Sequence, residues 1–152
     1  MLGASILELA RLRRRGHRKC LACTHPKLKL DFTMDGPHRL RSSIDLSSEM
    51  TSFDGMVHGG ILALLMDEAM TCVLMAEGRY CATGELNLRY HRPVHPDTTA
   101  HISATVEAKR GRLYEVKAEL KQKQQLCVRA KARFMHASDF NDAPIESATS
   151  ED

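Results

Sequence analysis

The chain has 152 residues, 43% of them hydrophobic, which is enough for one domain with a real core. Its formal net charge of +3 is mild and suits a small anionic ligand at least as well as a nucleic acid, and 5% aromatic content with no Trp argues against stacking platforms for bases. Five cysteines, an odd count with no secretory signal expected, point to a reducing cytoplasm.

Residues 1–19 join a weakly amphipathic set, Ile6, Leu9, Ala10 and Leu12, to a basic run at Arg11, Arg13, Arg14 and Arg15, and are read as a basic surface helix packed on the domain. The apolar part is too short for a signal-peptide core, and Glu8 and the lack of a Ser-rich stretch weigh against a mitochondrial presequence. Cys20-Leu21-Ala22-Cys23, flanked by His17 and His25, looks like half of a metal site. Structural zinc requires a closed set of four ligands, these four lie too close in sequence for two knuckles, and Cys72 falls inside an apolar segment, so no metal is expected. No strand and helix frame the pair as a redox motif would require.

Lys27–Met34 alternates polar and apolar residues as a half-buried strand should, Asp35-Gly36-Pro37 is a turn, and His38–Leu46 alternates again, completing a hairpin. Ser47–Gly55 is a polar loop leading to the next element.

From Ile61 to Ala76 the chain is apolar except for the adjacent acids Asp67 and Glu68, with apolar residues nearly all round the helical wheel, so a buried helix is predicted. Sixteen residues with two acids are too short and too polar to span a bilayer. The entry His58-Gly59-Gly60 leaves N–H groups without partners, and Gly admits a ligand close to them. That makes the helix start a site for an oxyanion or a polarised carbonyl. Asp67 has Ala63, Leu64, Met70 and Thr71 as its helical neighbours, where a carboxylate is expensive to bury. The plain reading is that the two acids line a polar seam or pair with Arg or Lys; the other is that Asp67 is a base or nucleophile in a cleft. Gly59 and Asp67 are eight positions apart, about 12 Å along a helix, and cannot both touch one reacting carbon within a single chain. Two copies of the helix packed antiparallel across a two-fold axis would bring Gly59 of one near Asp67 of the other.

After Gly78-Arg79 come Cys81–Arg92, Thr98–Lys109, Arg112–Lys123 and Gln124–Met135, all read as strands, with Arg110-Gly111 as a hairpin turn. Two strands before the helix and four after it form an antiparallel sheet whose inner face only the apolar helix can cover, an α+β class fold with the sheet curved around one central helix. Residues 138–152 carry five acids and few large apolar groups and are read as a disordered acidic tail.

The stretch VHGGILALLMDEA followed by TGELNLRYHRPV resembles the hotdog-fold acyl-CoA thioesterases of the PaaI-like and 4-hydroxybenzoyl-CoA type, over roughly residues 20–136. In that family the helix start after the His-Gly pair polarises the thioester carbonyl, and an acid nine residues after the His, from the partner subunit, drives attack; those positions are His58, Gly59 and Asp67. A Ser or Thr sixteen residues beyond the acid orients it or the water, and Thr83 falls there. The chain departs from the pattern at Ser52, where several members carry Asn.

The resemblance implies an acyl-CoA thioesterase in a hotdog domain over residues 20–137, with Asp67, Gly59, His58 and Thr83 as catalytic residues and Ser52, Gly60, Glu68, Arg89, Arg92 and Arg110 on the substrate. Glu68 is the rival acid, out of register with the family position. The basic residues Arg89, Arg92, Lys109, Arg110 and Arg112 read plainly as solvated strand and turn faces, or as a grip on coenzyme A phosphates. No cofactor is expected beyond the coenzyme A of the substrate, and no nucleic acid or membrane partner. A cytoplasmic homodimer that pairs into a dimer of dimers is expected. The alternatives are a non-catalytic acyl-CoA-binding hotdog protein and a hotdog dehydratase or hydratase, whose His-Phe-Pro entry is absent here.

Overall fold

The structure, a computed structural model, describes residues 4–137; the tail expected over 138–152 lies outside the described residues. Helix α1 spans Ile6–Gly16, with Ser5 Oγ accepting the Glu8 N–H at 3.1 Å and Arg13, Arg14 and Arg15 in its last turn, so both ends suit the helix dipole. Its buried face is Leu9 and Leu12. The Tyr80 hydroxyl donates to Leu12 O at 2.6 Å, and its ring lies so close that a Cβ on Gly16 would stand 2.9 Å from it. A short helix α2, Leu21–Thr24, follows.

The first expected strand needs correction, because only Thr33–Met34 (β1) forms a ladder, with β2, Arg39–Asp45. Upstream, the Leu28 and Lys29 N–H groups both bond His25 O in a turn, while Leu28, Leu30 and Phe32 are still buried alternately. The alternation reports burial of every second side chain, and an extended segment lying over the core produces that without a neighbouring strand.

Helix α3, Gly59–Ala76, has 18 residues, two more than expected at its start. It is long and apolar enough to cross a membrane, but most of it is buried inside the fold, where a core helix needs the same composition. Gly78 at φ +81 ends it, its N–H bonding Met75 O while Arg79 N–H bonds Leu74 O.

Strands β3 (Cys81–Tyr90), β4 (Thr99–Arg110), β5 (Leu113–Gln122) and β6 (Gln125–His136) complete a six-stranded antiparallel sheet in the order β1-β2-β4-β5-β6-β3. Helix and sheet together are the hotdog arrangement expected from the sequence. Ala104, Ala118 and Ala130 lie in one cross-strand row, all buried, and their small side chains leave depth for α3 against the sheet. Leu40, Ile102, Val116, Leu120, Val128 and Phe134 fill the rest of that face. The β5–β6 hairpin closes on Lys123 and Gln124, both left-handed. Strand β3 is a sheet edge of ten residues.

Phe134 is the largest fully buried side chain among the described residues. Phe134→Ala should lower stability by about 3–5 kcal/mol, read from urea midpoints. A loss under ~1 kcal/mol would contradict this packing.

Candidate active site

The entry to α3 is fixed before the helix begins. Val57 N–H bonds Val94 O at 2.8 Å and His58 N–H bonds Met50 O at 2.7 Å, so the chain turns into the helix at a set angle. His58 is the N-cap, and its ring Nδ1 accepts the Gly60 N–H at 2.8 Å. An accepting Nδ1 in a neutral ring places the proton on Nε2, which is left as a donor. The Gly60 N–H is therefore occupied, while the Gly59 N–H has no partner among the described residues. Tyr90 stands over this end of α3, its hydroxyl donating to Gly59 O at 2.8 Å. A Cβ on Gly59 would reach only ordinary contact, 3.7 Å, with the tip of the Tyr90 ring. Ser52, exposed, lies in the tight loop closed by the Thr51–Val57 bridge that leads into His58.

Further along the helix Gly60, Ala63, Leu64, Asp67 and Thr71 form a stripe, spaced three or four residues apart, that is not buried. Asp67 is on it, and Thr83 Oγ1 donates to Asp67 Oδ1 at 2.7 Å within the same chain. A bulge between Thr83 and Glu85 bends β3 just there and aims the Thr83 side chain at the helix. The structure thus groups the expected residues in two places on α3, His58, Gly59 and Gly60 at its start and Asp67 with Thr83 in its middle.

Residues 54–128 match the thioesterase superfamily. The matched stretch runs from the loop before α3 through β3, β4 and β5 into β6, and over it the chain is similar to that superfamily. Among solved structures it is similar to thioesterase superfamily member 2 from Mus musculus, at 18% identity over 90% of this chain and 98% of that one, TM-score 0.71. It is also similar to a putative thioesterase related to phenylacetic acid degradation from Ralstonia eutropha, at 22% identity over 84% and 98%, TM-score 0.70. A hypothetical thioesterase from Streptococcus pneumoniae, solved with coenzyme A, matches at 13% identity over 72% and 89%, TM-score 0.67. That protein has also been solved with an Asp-to-Ala change and with a Thr-to-Ala change sixteen residues further on. The chain spans 56% of the length of a further thioesterase superfamily protein, at 23% identity over 70% of this chain and TM-score 0.67. No curated protein matches it.

The basic residues of the sheet do not converge in one chain. Arg89 pairs across β3 and β6 with Arg129, in the row of Glu119, whereas Arg110 pairs with Leu113 in the row of Met135 and Ala82. Those rows are seven β3 residues apart, about 23 Å at ~3.3 Å each. Arg92 Nη1 donates to Leu126 O at 3.0 Å, at the Arg89 end. Arg89 also lines a groove of about 630 Å³ on the sheet with His91, Arg129, Lys131 and Arg133, and that groove includes neither Gly59 nor Asp67.

Glu68, one residue after Asp67, turns to the other side of α3 and is only 5% exposed. It meets Cys20, Cys23, Cys72 and Arg13 beneath α1 and α2 and is not brought to the Asp67–Thr83 pair. Burial and the hydrogen bond with Cys23 push its carboxyl up to about 7. Burial likewise lifts the Cys20 thiol to about 11, while hydrogen bonds from Cys72 first, and also with His17 and Glu68, draw Cys23 down to about 3.

Sequence reasoning placed Tyr90 on a strand face without a task; a Tyr closing a strand, with a polar tip that needs a partner, was the available signal. His58→Ala removes the cap and should cost about 0.5–2 kcal/mol, measurable as a lower midpoint in thermal unfolding. An unchanged midpoint would show that the Nδ1 contact does not hold the helix start.

Proposed function

We propose that this protein hydrolyses an acyl-CoA, with the thioester carbonyl polarised at the Gly59 N–H and Asp67 of a second copy acting as general base or nucleophile on water. The observation that carries the reading is the Thr83–Asp67 hydrogen bond of 2.7 Å on the one unburied stripe of a helix whose first N–H has no partner among the described residues. An oriented carboxylate and an unpartnered donor at a helix N-terminus are the two groups that acyl transfer to water requires. His58, its proton on Nε2, lies next to the carbonyl site and would contact the thioester, while Thr83 would hold Asp67 in one rotamer. The Streptococcus pneumoniae neighbour binds coenzyme A, and the Asp and Thr altered in it have the separation of Asp67 and Thr83.

The second copy enters through distance. Gly59 and Asp67 are about 12 Å apart along α3, too far to serve one carbon. Three features favour a two-fold pairing along this side. The α3 stripe is apolar around Asp67, β3 offers a ten-residue edge with no strand beyond it among the described residues, and Tyr90 is 49% exposed at its end. An antiparallel pair would also bring the Arg89 and Arg92 end of one chain toward the Arg110 end of the other, making a phosphate grip from residues that one chain keeps apart.

Asp67→Asn should fold normally and lose at least ~100-fold in turnover of an acyl-CoA panel followed by thiol release. No loss would remove Asp67 from the chemistry, and a wild-type chain that binds acyl-CoA without turnover would replace the enzyme reading by that of a binding protein.

Gly59→Val should abolish activity with little change in unfolding midpoint, since the first added carbon meets only ordinary contact. Mixing inactive Gly59→Val and Asp67→Asn chains should then restore about a quarter of wild-type activity, because half of the randomly exchanged dimers are mixed and each has one intact site of two. Zero recovery after exchange confirmed by native mass spectrometry would mean that both groups act within one chain.

A further inference from the structure

On the face of α3 away from Asp67, four side chains from three elements point at one another. A His17 ring nitrogen, Cys20 Sγ, Cys23 Sγ and a Glu68 carboxylate oxygen all lie within 4.8 Å of one another. We propose that these four residues bind one zinc ion, closing a structural site that fastens α1 and α2 to the central helix.

The donor set is the first reason. Two thiolates, an imidazole and a carboxylate are all groups that zinc takes, and four protein ligands close the tetrahedron with no position left for water or substrate. Soft sulfur donors disfavour calcium and magnesium, which take oxygen.

Distance is the second. Metal–sulfur and metal–nitrogen bonds of ~2.3 and ~2.1 Å at tetrahedral angles hold the two donors roughly 3.6 Å apart. His17 Nδ1 is 3.5 Å from Cys23 Sγ, and Cys20 Sγ is 3.6 Å from Glu68 Oε2. The Cys23 Sγ to Glu68 Oε1 approach, 2.7 Å, is the one that must lengthen, by a turn of the carboxylate that leaves Oε2 as the ligand.

Backbone geometry is the third. His17 N–H bonds Arg13 O at the end of α1, Cys20 N–H bonds His17 O, and Thr24 N–H bonds Cys20 O, so the His-X-X-Cys-X-X-Cys segment is already folded into a tight loop. His25, the other His beside the pair, is occupied elsewhere, its Nδ1 accepting the Lys27 N–H.

Charge is the fourth. Zinc with two thiolates, one carboxylate and a neutral imidazole keeps one net negative charge, which is costly to bury alone. Arg13 supplies the balance, with Nη2 at 3.7 Å from Glu68 Oε1 and 3.3 Å from Cys72 Sγ, over the Phe32 ring at 5.3 Å.

The test is metal content of the full chain grown with added zinc and purified under reducing conditions. Plasma mass spectrometry should find about one zinc per chain, falling below roughly a tenth in the Cys20→Ser, Cys23→Ser double variant and unchanged in Cys81→Ser, whose thiol is outside the cluster. Glu68→Gln keeps the side-chain volume; it should hold its circular dichroism spectrum and release zinc to a chromophoric chelator more easily by more than the ~100-fold upper end of losing an outer-shell partner. Wild-type chain stripped by chelator and refilled with cobalt(II) should show thiolate charge-transfer and tetrahedral ligand-field bands, so the proposal stands or falls even where a Ser variant does not fold. Failure of the wild type to take up zinc, equal zinc in the double Ser variant, iron or copper in its place, or a Cys20–Cys23 disulfide in the reduced preparation would each overturn it.

Discussion

An apolar helix of 18 residues has to be covered on every side, and the rest of this structure follows from how α3 is covered. The inner face of the sheet takes one side, its row of alanines setting how closely the helix approaches. Helices α1 and α2 take another, through Leu9, Leu12 and Ala22. The third side, with Asp67, is covered among the described residues by nothing beyond the edge strand that supplies Thr83. Successive residues on a helix point about 100° apart, so Asp67 and Glu68 fall on different sides of this arrangement and cannot share a task.

The burial of Glu68 illustrates how a polar group is tolerated in such a core. Its carboxylate has lost nearly all contact with water, and three thiols and a guanidinium surround it in place of solvent. Asp67 is served differently, by a single hydroxyl and partial access to water. The two environments separate an acid enclosed in the interior from an acid within reach of solvent.

Much of this was legible in the residues. The boundaries of α3 and of the last four strands follow from period and from the Gly and Pro residues near their ends, whereas the pairing of Asp67 with Thr83 was implied only by the family resemblance. What was not legible depended on contacts remote in sequence. Lys27–Phe32 alternates like a strand because alternate side chains are buried, yet its backbone partners are in a turn, which no period reveals. The Cys20–Cys23 pair looked half complete because its neighbours were sought nearby, whereas Glu68 is 45 residues from Cys23 and sits in a helix that composition alone labels as apolar. Tyr90 gave no sign of its partner because that partner is a backbone carbonyl.

The meeting of Gly16 and Tyr80 ties the two ends of this arrangement together over a distance of 64 positions in the chain. The ring occupies the space that a side chain at position 16 would need, and its hydroxyl donates to Leu12 O within α1. Neither position can therefore drift alone. A larger residue at 16 is open to the lineage only after the ring at 80 has been given up, and giving up the ring first leaves a hole under α1, so the two sites are expected to change as a pair, with Gly opposite an aromatic ring or a bulkier residue opposite a small one.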